Sequence, residues 1–248
     1  MSKIIEVRTD LPSINPHDYL DYILEYKPYL EFILYSYGGY ISQGNFFHYM
    51  NETFNKTEGQ TKTILQKLVK NNWIGQENIG NRFKILFLKR KARVCLHEKN
   101  LSDLPKPTNR TIIRTLLLEH YAMDKWVAEY QRDVYKVKTG FDSNDIIFAV
   151  LPLQDAVQIV FIDLTRKTAK RYAEIIKSFL DEDERFDDRN VNITFITYTE
   201  ARKKTLLKVF EDSEIKNLKA THHEKERLNF EVMCYNLLPY FDGKEPLM

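Results

Sequence analysis

Cysteine is scarce in this sequence, and long apolar runs are missing from it. Cys95 and Cys234 stand far apart and form no CxxC pair, which indicates a reducing compartment rather than a disulfide framework. No apolar run reaches the roughly 20 residues that span a bilayer, and the N-terminal residues contain no signal-peptide core. We therefore expect a cytoplasmic protein without a membrane segment.

The motifs of several enzyme classes are also missing. No GxGxxG, P-loop or nucleophile elbow occurs. The pair His222-His223 has no cysteine or carboxylate at the spacing of a zinc site, so we expect it to be solvated. The 15 tyrosines come without the histidine cluster that holds a relaxase metal, and we interpret them as core and interface residues. We expect no cofactor, no metal site and no catalytic residue.

The positive charge is concentrated in one stretch of the chain. With 248 residues, of which 43% are hydrophobic and 13% aromatic, the chain can build two globular domains. Residues 1–55 hold 3 Lys/Arg against 7 Asp/Glu, a net charge of −4. Residues 56–93 hold 10 against 2, a net of +8, and residues 94–248 hold 24 against 26, a net of −2. Localised basic charge of this kind indicates a polyanionic partner.

Residues 28–93 have the element order of a winged helix-turn-helix, which is a DNA-binding unit. Apolar spacing predicts a first helix over residues 28–38, and Ser42 is placed to cap a second helix. After a polar turn, Thr57-Glu58-Gly59-Gln60 fits the capping box that begins a helix. That third helix is expected to run to Lys70 and to serve as the recognition helix.

A hairpin follows, from Trp73 to Leu88, and it leaves through the basic run of residues 89–93. Its turn, Gly80-Asn81, tolerates positive φ. On the third helix, glutamine can pair with adenine, lysine can reach guanine or phosphate, and threonine can contact a thymine methyl group. Basic residues of the wing would lie against the phosphate backbone. The predicted binders of double-stranded DNA are Gln60, Lys62, Thr63, Gln66, Lys67, Lys70, Arg82, Lys84, Lys89 and Arg90.

Two other interpretations of this stretch remain open. Lysines on one helix commonly form no more than a solvated face. A winged helix can also contact another protein instead of DNA. DNA binding is favoured because helix order, turn chemistry, a closing hairpin and the local net charge coincide.

The regions around this unit are assigned by composition. Residues 1–27 are expected to form an N-terminal tail and an acidic helix. Residues 94–109, with Pro105 and Pro107, are interpreted as a linker. Residues 110–248 would form an α/β domain for dimerisation or partner contact, and we expect a homodimer.

The second half alternates between helical and strand-like patterns. A strand–helix–strand unit requires a crossover and therefore a parallel pair of strands, here residues 156–162 and 191–197. The order is that of the restriction-endonuclease-like fold, and the fold class is α+β, a winged helix-turn-helix followed by an α/β domain. The predicted elements are a helix over 108–132, strands at 133–138, 146–151 and 156–162, a helix over 165–180, a strand at 191–197, a helix that Thr199 caps, and a last helix over about 223–238.

A resemblance to a known family rests on two stretches of this half. They are Val160-Phe161-Ile162-Asp163-Leu164-Thr165 with the helix that follows it, and residues 191–207, which contain Thr199-Glu200-Ala201-Arg202. Together with the winged helix and the proline-containing linker, the chain resembles the replication-relaxation family of plasmids and other mobile elements over residues 28–212. The resemblance implies a DNA-binding protein of plasmid replication, mobilisation or their control.

A Mg²⁺-dependent nuclease is the enzymatic alternative. A nuclease of this fold needs one acidic residue on a strand and a D/E-x-K motif on the next. Asp145 and Asp163 could be the two acids, but Thr165 stands where the lysine is required. Lys167 comes two residues later, on the predicted helix, where its direction is wrong. We therefore expect a catalytically degenerate domain. A winged-helix scaffold for protein contact is the third alternative.

Overall fold

A computed structural model describes residues 25–96, 106–124, 149–152, 156–164, 168–182, 190–221 and 228–244. These residues form a mixed α+β protein with eight α-helices and two small sheets. The chain divides into two compact units, one made of Met1–Asn78 with Phe83–Pro107 and the other of Thr108–Met248 with Ile79–Arg82. Within the described ranges, every helix is too short or too polar to cross a membrane.

The first unit combines four helices with a three-stranded sheet. Its sheet has the order β1-β3-β2, and β1 pairs antiparallel with β3, with Ile41 opposite Leu86. Because β2 and β3 are neighbours joined by a three-residue turn, they form the expected hairpin. The elements are α1 (Lys27–Tyr37), β1 (Tyr40–Ser42), α2 (Gln43–Phe54), α3 (Glu58–Lys70), β2 (Ile74–Ile79), β3 (Phe83–Leu88) and α4 (Arg90–Cys95).

Helix α1 begins and ends where its sequence directs. Pro28 lies in the first turn, where its missing N–H leaves no helical hydrogen bond unmade. Gly38 adopts φ +66°, and its N–H donates to Leu34 O at 2.9 Å, which ends the helix in the left-handed conformation that glycine favours. The buried strand β1 follows at once. With three residues it is too short for a periodic signal, and the sequence analysis did not predict it.

Side-chain caps begin both α2 and α3. Ser42 Oγ accepts from the Asn45 N–H at 3.1 Å, so this predicted cap is confirmed. The predicted capping box is also confirmed, because Thr57 Oγ1 accepts from the Gln60 N–H at 3.3 Å and Gln60 Oε1 accepts from the Thr57 N–H at 2.9 Å. A side-chain cap of this kind stabilises a helix by about 1 kcal/mol. Asn55, with φ +49°, terminates α2 before the turn.

The core of this unit lies between the three longer helices and the sheet. Its largest side chains are buried completely or almost completely. Leu68 is one of them, so α3 lies with this side toward the core. Removing one of the large core side chains would cost about 2–5 kcal/mol. The largest fully buried members are Leu30, Ile33, Ile41, Phe46, Met50, Leu68, Trp73 and Phe87.

The basic run after the hairpin is mostly helical. Its residues from Arg90 onward form α4, and Val94 and Cys95, which were assigned to the linker, are buried in that helix. Apolar side chains inside the run, such as Ala92, turn it toward the core once it is helical.

The second unit has a four-stranded sheet with helices in its connections. Strand order is β4-β5-β6-β7. The pair β4/β5 is antiparallel, and β5/β6 is parallel as predicted. A hydrophobic cluster that includes Phe161, Ile176 and Phe195 packs the helices on the sheet. The elements are α5 (Asn109–Asp124), β4 (Ala149–Pro152), β5 (Ala156–Ile162), α6 (Ala169–Glu182), β6 (Asn190–Thr197), α7 (Glu200–Phe210), α8 (Ser213–Thr221), β7 (Leu228–Cys234) and a 3₁₀ helix (Leu238–Phe241).

The predicted last helix over residues 223–238 is wrong, because Leu228–Cys234 form β7 and pair parallel with β6. Leu228, Phe230 and Val232 follow a period of two and are at least half-buried, while Asn229 and Glu231 are exposed. That alternation is typical of a strand with one covered face. The predicted strand at residues 133–138 and Asp145 lie outside the described residues.

Candidate functional site

The outer face of α3 is wholly exposed. Four side chains on the opposite side are buried, namely Thr61, Ile64, Leu65 and Leu68. At about 100° per residue, the six predicted binders fall on an arc of roughly 160° that points away from the core, and the exposed Glu58 extends the polar arc to about 200°. Each of the six predicted binders on this helix is exposed, and they are Gln60, Lys62, Thr63, Gln66, Lys67 and Lys70.

Three of these six side chains already have an intramolecular contact. Gln60 Oε1 is the acceptor in the capping box, and the Thr63 hydroxyl donates to Gly59 O at 3.0 Å. Lys67 Nζ lies 3.7 Å from Glu25 Oε1, with 51% and 46% of the two side chains exposed. Sequence periodicity places all six residues on one face but does not distinguish these three from the others.

The hairpin carries two further exposed cations. Arg82 ends the turn and Lys84 lies on β3, with a partly exposed Phe83 between them. Neither Arg82 nor Lys84 has an ion pair or side-chain hydrogen bond among the described residues. Together with Lys62 and Lys70, they form a set of four exposed cations on α3 and the hairpin.

The cations of the basic run have inward contacts. Lys89 Nζ lies 4.9 Å above the ring of Phe87, and Arg93 is 7% exposed. Lys91 Nζ lies 4.5 Å from the ring of Trp73 and donates to Asn71 O at 3.2 Å, at the C-terminus of α3, where a positive charge stabilises the helix dipole. Arg90 remains exposed. The net charge of +8 therefore overstates the charge that this stretch presents to a partner.

Unit two contains a buried polar cluster at the carboxyl end of β5. Asp163 is 5% exposed, and both of its carboxylate oxygens accept hydrogen bonds. Arg202 donates through Nε to Oδ2 and through Nη2 to Oδ1, the latter at 3.0 Å. The Tyr172 hydroxyl also donates to Oδ1. The bidentate geometry is the strongest form of a carboxylate–guanidinium pair.

The protonation states in this cluster follow from burial and from the pairing. The hydrogen bonds from Arg202 to Asp163 raise the pKa of the arginine above its ordinary value. Burial, followed by the charge of Asp163, raises the pKa of Tyr172, so the phenol remains a donor at neutral pH. Both carboxylate oxygens of Asp163 are therefore bound by protein side chains, those of Arg202 and Tyr172. Within the part of the chain that the structure describes, no group of three or more His, Cys, Asp and Glu could hold a metal ion.

Comparisons with protein families, with curated proteins and with solved structures find no match for this chain. The resemblance to the replication-relaxation family therefore stays a prediction from its residues. The described residues of unit two also enclose a cavity.

That cavity, of about 450 Å³, lies in unit two between the ends of β6 and β7 and the start of α7. Cys234 and Glu200 are among its lining residues. Burial and the neighbouring Glu200 raise the pKa of the Cys234 thiol to about 11. Because a thiolate is the reactive form, this shift lowers the reactivity of Cys234 at neutral pH.

Proposed function

We propose that residues 27–95 form a winged helix-turn-helix that binds double-stranded DNA, with α3 as recognition helix and the β2–β3 hairpin as wing. The protein would read a specific site and act in replication, transfer or transcription on a plasmid or another mobile element, as its resemblance implies. The observation that carries the proposal is the exposed polar face of α3, which holds three lysines and two glutamines, against one exposed acidic residue of the helix, Glu58 in the first turn.

The chemistry of this face suits a major groove. An α-helix fits that groove, and its base edges offer acceptors to lysine and paired donors and acceptors to glutamine. Arg82 and Lys84 would reach phosphate from the wing. The buried stripe that packs α3 on the core consists of other residues, whereas Gln60 belongs both to the exposed face and to the capping box.

The nuclease alternative receives no support from the described residues. Asp163 would have to give up the Arg202 pair before it could bind Mg²⁺, and a buried carboxylate separated from its partner is destabilising by about 3–5 kcal/mol. Incubation of supercoiled plasmid with Mg²⁺ is the direct assay, and cleavage that disappears in Asp163→Ala would favour the nuclease.

DNA binding is tested by titrating the protein with duplex DNA at several salt concentrations. If Lys62, Lys70, Arg82 and Lys84 each neutralise one phosphate, log Kobs against log salt has a slope of about −4 per protomer. The proposed homodimer would double that slope, and sedimentation of the complex measures its stoichiometry. A flat salt response, or no binding, contradicts the proposal and leaves the protein-contact alternative.

A matched pair of variants locates the surface. Lys62→Ala with Lys70→Ala should weaken binding at least tenfold and make the slope less steep by about 2. Lys204→Ala with Lys208→Ala removes the same charge from exposed positions of α7 in unit two. This control should leave affinity within about twofold. Equal losses in both variants would show that binding follows net charge and not α3.

A further inference from the structure

The geometry points to one row of α3, made of Lys62, Gln66 and Lys70, as the part of the proposed interface that reads base sequence. Gln66 is assigned to an adenine, and the two lysines are assigned to guanine or phosphate on either side of it. This inference rests on the proposed function and goes beyond it, because it separates readers from residues that only position the helix.

The three residues follow a spacing of four along the helix. At 1.5 Å rise per residue, the row spans about 12 Å. The base pairs of a duplex are 3.4 Å apart, so the row matches roughly three or four base pairs. All three side chains are exposed, and none has a hydrogen bond or ion pair within the described ranges.

The neighbouring row, Gln60, Thr63 and Lys67, differs in that each side chain has an internal contact. Gln60 can pair with adenine through both ends of its amide only if its oxygen leaves the Thr57 N–H. The Thr63 hydroxyl donates a hydrogen bond to the backbone oxygen of Gly59. Glu25 places a negative charge beside Lys67, which opposes the approach of phosphate. This row therefore stabilises and orients α3.

Gly59 adds an independent observation on the same face. A methyl group built on its Cα would meet nothing within 4 Å, and its φ is not positive, so neither packing nor backbone conformation requires glycine. A helix terminus without a side chain can approach a phosphate closely, and its free N–H groups favour anions. Gly59 precedes Lys62 by one turn and would bring the start of the reading row to the DNA backbone, with the exposed Glu58 as the negative charge that opposes this approach.

The test compares two identical substitutions on one helix. Wild-type protein is used to select duplexes from a random-sequence library, and affinities are then measured for the selected site and its single-base-pair variants. Gln66→Ala should remove discrimination at one A·T pair, a loss of roughly 5- to 150-fold in preference, without lowering the unfolding midpoint. Gln60→Ala should lower the unfolding midpoint, because the capping box is lost, while the base preference stays that of the wild type.

The outcomes separate the two proposals. If the wild-type protein binds no duplex, the proposed function fails. If it binds without sequence preference, or if Gln66→Ala retains the wild-type preference, the assignment of the reading row is overturned while DNA binding stands. A preference that is lost in Gln60→Ala and kept in Gln66→Ala would move the reader to the other row.

Discussion

The outer face of α3 and the Asp163 cluster use the same kinds of side chain in opposite ways. On α3, Lys62 and Lys70 are exposed without a charged partner among the described residues. In unit two, Arg202 and Asp163 have side chains that are 13% and 1% exposed and are joined by two hydrogen bonds, with Tyr172 completing the set. The lysines of α3 are available to a partner, whereas Arg202 and Asp163 are paired with each other inside the fold.

The contrast shows why a count of charges does not locate a binding surface. The basic run of residues 89–93 contributes four cations to the sequence. Of these, Lys91 donates a hydrogen bond at the C-terminus of α3, and Arg93 is buried. Charges that pack on aromatic rings or cap a helix act on stability. Only those without such contacts retain their full electrostatic effect on a polyanion.

The largest effect is expected from removal of the Asp163 carboxylate, which pairs with Arg202. Asp163→Ala leaves Arg202 buried without its partner, so we expect the free energy of unfolding to fall by about 3–5 kcal/mol. Chemical denaturation followed by circular dichroism measures this loss.

The matched control is Glu174→Ala, because Glu174 pairs with Arg171 at 3.0 Å while both side chains are more than 40% exposed. Removal of this pair should cost at most about 0.5 kcal/mol, since solvent screens it. Similar losses in the two variants would mean that the Asp163 cluster is not the structural element described here.

A smaller effect tests whether the start of α3 contacts DNA. Gly59→Ala fills open space on an exposed helix, so it should raise stability by up to about 1 kcal/mol. If the helix terminus donates to a phosphate, the added methyl group should reduce duplex affinity on the order of tenfold. Thermal unfolding and a DNA titration measure the two quantities on the same sample.

Gly44 supplies the control, because it occupies the same second position of α2 and its added Cβ would also meet nothing. Gly44→Ala should raise stability by a similar amount and leave DNA affinity unchanged. Should both variants bind DNA as the wild type does, the start of α3 does not approach the backbone.

The smallest expected effect concerns Glu25, which pairs with Lys67 on the outer face of α3. Glu25→Gln removes the negative charge beside Lys67, so it should tighten DNA binding by about two- to fivefold at low salt. The gain should vanish as salt screens the interaction. Glu31→Gln is the control, since Glu31 lies 3.8 Å from Lys27 within α1. Equal tightening in both would indicate a general charge effect.

Local patterns predicted the parts of the fold that depend on near neighbours. The sequence predicts the Ser42 cap and the Thr57–Gln60 capping box because the hydrogen-bonded residues are three positions apart. It predicts the turn at Gly80 because the positive φ depends on that residue's own backbone. The burial of Leu68 follows from helical spacing in the same way.

The errors arose where partners are distant in sequence. Residues 228–234 were assigned to a helix from their apolar content, and pairing with β6, about 37 residues away, makes them a strand. The bidentate pair of Asp163 and Arg202 joins residues 39 positions apart. The local sequence predicts only the Thr199 cap at the start of α7. That cap fixes where the helix begins, but it does not predict that Arg202 pairs with Asp163.

For the candidate site, the sequence alone determined the identity of the outer face of α3, because a helical period of 3.6 residues and one apolar stripe leave only one arrangement. Tertiary structure decided which of those side chains are free. Glu25 comes to Lys67 from more than 40 residues away, and Trp73 and Phe87 draw the cations of the basic run inward. Availability for binding is a property of contacts, and contacts between distant residues exist only after the chain has folded.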